Sequence, residues 1–249
     1  MNGVEIIAHR GAGKGFVQRD TPPENTLPAF EYAWSAEVQA DAAEADIHLT
    51  RDGELVVIHD ETTERTSDGR LRVADHTLSE LRRLDAGSWK SSEFAGVRIP
   101  TIEEVIASLP HGRRLFVELK AGVDTLPRLT RVLAECGKTP SQLPLISFHF
   151  DAIVLAKRRL PEHECYFLAD LVDRPRDLRE LVSEVAGAGL DGIDVATGDA
   201  TELVKRAGDR GLKLVVWTVN DLAAAHQMAE AGVRSITTDI PRQMRDALR

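Results

Sequence analysis

The sequence lacks the features of a secreted, disulfide-stabilised or membrane-spanning protein. Its 249 residues include only two cysteines. Cys136 and Cys165 stand apart from each other and from any histidine cluster, which predicts reduced thiols with a structural role. No apolar run approaches the roughly 20 residues that a membrane span needs, and no basic segment followed by an apolar run marks a secretory signal. We therefore expect a cytoplasmic protein without a membrane span.

Positive charge is also scarce. The chain has 31 lysines and arginines against 40 aspartates and glutamates, which gives a formal net charge of −9. A protein that binds a nucleic-acid backbone usually has the opposite balance or a block of basic residues, and this sequence has neither. Nucleic acid is therefore not an expected partner. The 43% hydrophobic content is enough for a large core, in two small domains or in one barrel.

Short apolar runs alternate with helical patterns along most of the chain. Near-continuous apolar strands that alternate with helices predict a parallel sheet covered on both faces. Eight such units in about 250 residues fit a closed (β/α)8 TIM barrel. A doubly wound open sheet is the alternative, but no glycine-rich turn with nucleotide-binding spacing follows the first strand. The predicted strands are Val4–Ala8, Ala43–Leu49, Leu115–Leu119, Leu143–Phe148, Cys165–Leu168, Gly192–Val195, Leu214–Val219 and Ser235–Thr238.

Helices are predicted after each of these strands. The first starts after Asn25 or Thr26, and Thr101 is the predicted cap of the second. A polar stretch, Glu61 to Pro100, separates the second strand from its helix and contains a short helix of its own, Leu78–Leu84. We expect a single domain, residues 1–249, with an insertion at about residues 61–100. The other predicted helices are Ile102–Leu109, Leu126–Glu135, Ala152–Arg159, Leu178–Ala188, Ala200–Arg210, Leu222–Ala231 and Pro241–Leu248.

The second predicted strand continues into a hairpin that carries polar side chains. If Asp52 and Gly53 form a two-residue turn, each pair of opposed residues has numbers that sum to 105. His59 then lies opposite Asp46, and Glu44 projects to the same side as Asp46 because strand side chains alternate. The pattern predicts two carboxylates and an imidazole on one face, with a polar surface hairpin as the alternative.

The ends of the other strands add charged residues to this group. Active sites of (β/α)8 barrels lie at the carboxyl ends of the strands, and Glu118 lies at that end of the third predicted strand. Three carboxylates directed at one point repel each other unless a cation joins them. An all-oxygen ligand set of Glu44, Asp46 and Glu118 suits Mg²⁺, Ca²⁺ or Mn²⁺ better than zinc. The alternative for Glu118 is a salt bridge with Lys120.

Two histidines and two cations complete the predicted site. His9 and His59 are a candidate acid–base pair because imidazole titrates near neutrality. Arg10 and Lys120 are candidate phosphate ligands; the alternative for Arg10 is a loop salt bridge with Glu24 or Asp60. At the end of the seventh strand, Trp217 either lines a substrate pocket or only closes the barrel, and the sequence favours neither.

Nine motifs make the sequence resemble the glycerophosphodiester phosphodiesterase family, bacterial cytoplasmic type. The resemblance implies a (β/α)8 barrel in which Glu44, Asp46 and Glu118 hold one divalent metal ion and His9 and His59 form the acid–base pair. It also implies that the stretch from Glu61 to about Pro100 caps the site. The matching segments are His9-Arg10-Gly11, Pro23-Glu24-Asn25-Thr26, Glu44-Ala45-Asp46, Leu49 to Gly53, His59-Asp60, Arg65-Thr66, Glu118-Leu119-Lys120, Trp217 to Asn220, and Thr238 to Pro241.

These observations predict a metal-dependent hydrolase that cleaves glycerophosphodiesters, small-molecule substrates, to glycerol phosphate and an alcohol. Two alternatives use the same barrel: a non-catalytic protein that binds a phosphorylated polyol, and a lysophospholipase D-type enzyme. The loop from Gly11 to Pro23, with Lys14 in it, and the stretch beyond Glu61 look too polar for a lysophospholipid groove. The sequence predicts neither the leaving alcohol nor the oligomeric state.

Overall fold

A closed parallel barrel organises the described part of the chain. The computed structural model describes residues 3–13, 21–197 and 200–249. Within them, eight strands pair in parallel, and the pairing of the first with the second closes the barrel, which confirms the predicted fold and excludes the open sheet. A short antiparallel strand, β3, pairs with β2. The strands are β1 Glu5–Ala8, β2 Ala42–Leu49, β3 Leu55–Val57, β4 Arg114–Leu119, β5 Leu145–Ser147, β6 Cys165–Asp170, β7 Gly192–Ala196, β8 Lys213–Val216 and β9 Ser235–Thr238.

The helices cover the outside of the barrel. The Thr101 cap is confirmed, because its hydroxyl accepts from the backbone N–H of Glu104 while the Glu104 carboxylate accepts from that of Thr101. The predicted Leu78–Leu84 helix is shorter, because Arg83 and Leu84 donate to carbonyls only three residues back. The helices are α1 Leu27–Trp34, α2 Leu78–Leu81, α3 Ile102–Ser108, α4 Leu126–Glu135, α5 Phe150–Arg159, α6 Leu178–Gly187, α7 Thr201–Gly208, α8 Leu222–Ala231 and α9 Pro241–Leu248.

Two hydrophobic cores lie on opposite faces of the barrel strands. The larger packs the outward strand residues against the helices, and the smaller fills the barrel interior. Side chains alternate along a strand, so the polar residues above the inner core occupy the same inward face. On β4, for example, buried Phe116 is followed two positions later by Glu118. The inner core consists of Ile7, Ala42, Phe116, Ile146, Tyr166, Leu168 and Val215.

The hairpin between β2 and β3 has a different turn from the predicted one. Leu49 pairs with Leu55 and Ile47 with Val57, so opposed residue numbers sum to 104. The loop therefore has three residues, and its last, Gly53, has a φ of +82°, as a three-residue hairpin loop with a left-handed final residue requires. The prediction that His59 lies opposite Asp46 is wrong. The backbone carbonyl of Asp46 instead accepts from the backbone N–H of Ile58 at 3.0 Å.

The chain between β3 and α3 forms a small core of its own beside the barrel mouth. Side chains from the hairpin, Val56 and Ile58, pack there against later residues of this segment. Its chain is tied back to the hairpin by a hydrogen bond from the N–H of Val57 to the carbonyl of Pro100 at 2.9 Å. The remaining buried members are Val73, Leu81, Ala86 and Ile99. The hairpin therefore packs against other residues on both faces, and this packing fixes the direction of the chain beyond β3.

Candidate active site

Three carboxylates converge at the carboxyl ends of β2 and β4. Asp46 and Glu118 are neighbours in the parallel register of the two strands. Each of Glu44, Asp46 and Glu118 offers an oxygen within 4.8 Å of those of the other two, and all three residues are buried. Burial and repulsion from Asp46 raise the pKa of Glu44 well above its ordinary value and that of Glu118 to about 7. The alternation of β2 predicted this convergence correctly.

The donor set fits a divalent cation. Glu44 Oε2 accepts from the backbone N–H of Arg10 at 3.0 Å, whereas Glu44 Oε1 is buried and has no hydrogen-bond partner among the described residues. A buried carboxylate oxygen without a partner is costly unless a cation or proton satisfies it. Oxygen-only ligands suit Mg²⁺, Ca²⁺ or Mn²⁺. The triad therefore has the chemistry of a hard-metal site.

Two cations lie beside the acids. The Arg10 guanidinium donates to Glu24 Oε1 at 2.6 Å and its Nε lies 3.6 Å from Asp46 Oδ2. Lys120 Nζ lies 3.0 Å from Glu118 Oε1 and 3.6 Å from Asp46 Oδ1. Burial alone would raise the pKa of Asp46, but these two cations hold it far below its ordinary value. The alternative contacts predicted for Arg10 with Glu24 and for Glu118 with Lys120 both form, inside the cluster.

His9 is held by a carboxylate at the end of β9. His9 Nδ1 lies 2.7 Å from Asp239 Oδ1, and Asn220 Nδ2 donates to Asp239 Oδ2 at 2.7 Å. His9 Nε2 lies 4.0 Å from Glu44 Oε2. Burial lowers the pKa of His9 despite the hydrogen bond to Asp239. Gly13 allows the close approach of the loop here, because a Cβ on it would lie 2.3 Å from the carbonyl oxygen of Asp239.

His59 reaches the same pocket from the hairpin, just beyond the end of β3. Its Nδ1 lies 2.6 Å from Asp60 Oδ1, and its Nε2 lies 3.2 Å from Lys120 Nζ. Arg65 donates to Asp60 at 2.5 Å and, through both terminal nitrogens, to Glu24. Burial is the main cause that lowers the pKa of His59. The predicted proximity of His59 to the acids holds although the turn arithmetic behind it does not.

The sequence did not predict which residues would hold the candidate catalytic histidines and Asp46 in place. Asn25, in the left-handed region with φ of +57°, donates to Asp46 Oδ2 at 2.8 Å. Asp60 is adjacent to His59, so a histidine–aspartate dipeptide after a strand was an available signal. Asp239 and Asn220 lie in the matching motifs, but their distance of 230 and 211 positions from His9 in the chain hides the contact.

All the predicted site residues line or adjoin one pocket of about 260 Å³. Trp217 lies on its wall, where its ring meets that of Phe148 edge to face with centroids 5.5 Å apart. Trp217 also packs against the inner core, so it both lines this pocket and closes the barrel. No helix among residues 3–13, 21–197 and 200–249 has the length and apolar character of a membrane span. Lys14, in the polar loop, lies outside the described residues.

The sequence matches a family model over most of its length. The model described as the glycerophosphoryl diester phosphodiesterase family matches residues 9–243. A glycerophosphodiester phosphodiesterase of Caldanaerobacter subterraneus is 34% identical, with 98% of this chain and 97% of that protein covered. One of Bacillus subtilis is 31% identical, with 96% of this chain and 84% of that protein covered.

Solved structures share the fold. A phosphodiesterase of Oleispira antarctica, solved in complex with the product sn-glycerol-3-phosphate, superposes with a TM-score of 0.81 at 28% identity and covers 98% of this chain and 96% of that one. A putative glycerophosphoryl diester phosphodiesterase from Silicibacter pomeroyi gives 0.84 at 25% identity, with 99% and 93% covered. These findings confirm the predicted family and enzyme class, a phosphoric diester hydrolase. The chain belongs to the glycerophosphoryl diester phosphodiesterase family.

Proposed function

We propose that this protein hydrolyses glycerophosphodiesters to glycerol phosphate and an alcohol. The observation that carries the proposal is that two histidine–aspartate pairs and an acidic triad face one pocket, with Arg10 and Lys120 between them. The product found in the Oleispira structure is what such a reaction releases. The substrate is a small molecule, and the predicted cytoplasmic location stays a prediction from the sequence.

The acidic triad would hold one divalent ion, Mg²⁺, Ca²⁺ or Mn²⁺. Bound there, the ion supplies positive charge at the point where the carboxylates now repel each other and where a phosphate has to be accepted. Asn25 and the backbone of Arg10 orient two of the three carboxylates through hydrogen bonds. Because such contacts fix the ligands before an ion binds, they favour affinity.

The two histidines take the acid and base roles. Each imidazole uses Nδ1 toward its aspartate, so Nε2 is the nitrogen that would exchange a proton with the substrate, and Nε2 of His59 would exchange its contact with Lys120 for one with the substrate. We assign His9 as the base that takes a proton from the nucleophile and His59 as the acid that protonates the departing alcohol; the reversed assignment is the alternative. The nucleophile is either water or the hydroxyl of the substrate itself, and solvent-oxygen labelling with a search for a cyclic phosphate separates them.

Arg10 and Lys120 would bind the phosphate, and Trp217 would form a wall of the substrate site. Both cations have charged partners already, and their side chains are largely buried. Their positions are therefore set before substrate arrives, which is what stabilisation of charge on the transferring phosphoryl group requires. The segment 61–100 would cap the site from the hairpin side.

The test is an assay of glycerophosphocholine and glycerophosphoethanolamine after chelation, with Mg²⁺, Ca²⁺ and Mn²⁺ restored in turn. We expect turnover only with a divalent ion. Glu118→Gln should abolish the response to the ion, and Glu103→Gln, on α3 and outside the pocket lining, is the matched control. Binding of glycerol phosphate without turnover of any diester would instead identify a non-catalytic binding protein. Release of alcohol from a long-chain lysophospholipid would identify a lysophospholipase D-type enzyme.

A further inference from the structure

Asp194 is a buried acid in the pocket that the reaction described above leaves without a role. It lies on β7 and faces the barrel interior, in register with Leu168 on β6 and Val215 on β8, both apolar. Only 2% of its surface is exposed, yet it lines the same pocket as His9 and Glu118. Its Oδ1 has no hydrogen-bond partner among the described residues.

A carboxyl group in this position is costly to the fold. Its cross-strand neighbours, Leu168 and Val215, carry no hydrogen-bonding group on their side chains. Burial, and then the charge of Glu118, raise the pKa of Asp194 well above its ordinary value. A buried polar group without a hydrogen-bond partner destabilises the folded state. A group that weakens the fold and points into the pocket is expected to have its partner in the ligand.

The charges around the pocket limit which part of a ligand that partner is. Arg10 and Lys120 follow the ends of β1 and β4, on the side of the acidic triad, and offer the sites for a phosphate. A carboxyl group repels phosphate oxygens when ionised. A hydroxyl group, in contrast, can donate to a carboxylate or accept from a neutral carboxyl group. The matching ligand group at Asp194 is therefore a hydroxyl.

We infer that Asp194 is a specificity-determining residue that hydrogen-bonds to the terminal hydroxyl of the glycerol part of the substrate. This inference rests on the proposed function and adds an orientation to it: phosphate toward β1 and β4, polyol end toward β7. The terminal hydroxyl is the one farthest from phosphorus in a glycerol 3-phosphoryl group. It is therefore the group that can reach Asp194 when the phosphate lies at Arg10 and Lys120. A substrate without it would leave Asp194 buried and unpaired.

The experiment compares two choline diesters, glycerophosphocholine and the propane-1,2-diol analogue that lacks the terminal hydroxyl. The wild-type protein should prefer the glycerol compound by about 10- to 100-fold in kcat/KM. Asp194→Ala should reduce that preference to less than about threefold, mainly through the KM of the glycerol compound. Asp194→Asn, which keeps a hydrogen-bonding side chain of the same shape, should retain most of it. Each variant is assayed with the divalent ion that best supports the wild type.

Thermal unfolding of Asp194→Leu provides a second readout. We expect a higher Tm than that of the wild type, because the unpaired carboxyl group is replaced by an apolar side chain among apolar neighbours. Equal kcat/KM for the two diesters in the wild type, or an unchanged preference in Asp194→Ala, would overturn the inference. Absence of turnover of any glycerophosphodiester by the wild type would overturn the proposed function itself, so the two failures are distinguishable.

Discussion

In both histidine–aspartate pairs of the site the imidazole Nδ1 contacts the carboxylate, but the residues around the two pairs differ. His9 and Asp239 belong to barrel strands and the loops that follow them, and the side chain of His9 is 11% exposed; that of His59, in the hairpin, is 31% exposed. Behind Asp239 stands the neutral amide of Asn220, whereas behind Asp60 stands the Arg65 guanidinium. The carboxylate partner of His59 therefore shares its negative charge with a guanidinium.

This difference teaches how one fold can separate an acid from a base. A carboxylate partner stabilises an imidazolium, which suits His9, paired with the buried Asp239, to accept a proton. Asp60 divides its charge between His59 and Arg65, so a proton on His59 is held less firmly and is released more easily. The barrel positions one partner, and a hairpin packed on a separate small core positions the other.

Removal of either imidazole should have the largest effect. For glycerophosphocholine, His9→Ala and His59→Ala should each lower kcat by about 10²–10⁴-fold. With a 4-nitrophenyl leaving group, which departs without a proton, His59→Ala should regain most of the lost rate and His9→Ala should not. Steady-state kinetics on both substrates checks this, with His226→Ala, on the exposed face of α8, as the control. Recovery by His9→Ala alone would reverse the assignment of the two roles.

The next largest effect should come from amide substitution of the two aspartates, which should lower kcat to different extents in the two pairs. Asp239→Asn should lower kcat by about 100-fold, because an amide can favour the wrong imidazole tautomer and cannot stabilise its charge. Asp60→Asn should cost about 10-fold, since Arg65 already neutralises part of the Asp60 charge and Lys120 also contacts His59. kcat measured across pH 6–9 provides the comparison. Equal losses in the two variants would show that the supports are equivalent.

The acidic triad between the pairs should make the stability of the chelated protein depend on pH. With a pKa of about 7 against an ordinary 4.5, Glu118 keeps a proton in the folded protein that the unfolded chain releases between these values. Its contribution is therefore present below pH 4.5 and is lost as the pH rises through 7, by roughly 2–4 kcal/mol.

The unfolding free energy of Glu118→Gln, subtracted from that of the wild type in chelator, isolates this contribution. The subtraction is needed because the lowered pKa values of His9 and His59 act in the opposite direction below pH 6.5. Saturating divalent ion should remove the loss at pH 8. A difference that stays constant between pH 4.5 and 8 would contradict the expectation.

The smallest effect should come from the hairpin turn, which contributes no residue to the pocket lining. Gly53→Ala places a Cβ on a residue with φ of +82°, where nothing lies within 4 Å. The cost is thus purely that of the left-handed backbone, about 1 kcal/mol, or about 2–4 °C in Tm for a domain of this size. Gly187→Ala, in α6 and also without neighbours within 4 Å, should be neutral or slightly stabilising. Thermal unfolding of both variants is the measurement, and equal Tm changes would argue against a strained turn.

The hairpin shows how far sequence arithmetic extends. Strand alternation placed Glu44 and Asp46 on one face, and the parallel register then brought Glu118 beside them. The turn was predicted one residue too short, because Asp52-Gly53 fits a two-residue loop and a three-residue loop equally well by composition. His59 still reaches the pocket, since the chain beyond β3 is directed there by packing on Val73 and Leu81 and by the Asp60–Arg65 contact.

The sequence alone determined the barrel, the family and the convergence of the acids, because periodicity, strand alternation and local motifs are properties of short segments. Only the tertiary structure decided which carboxylate holds His9, since Asp239 lies 230 positions from His9 in the sequence. The same holds for Asp194, whose Oδ1 is buried without a hydrogen-bond partner among the described residues because of its neighbours on β6 and β8. Contacts between distant segments depend on barrel closure and register, and no local pattern encodes them.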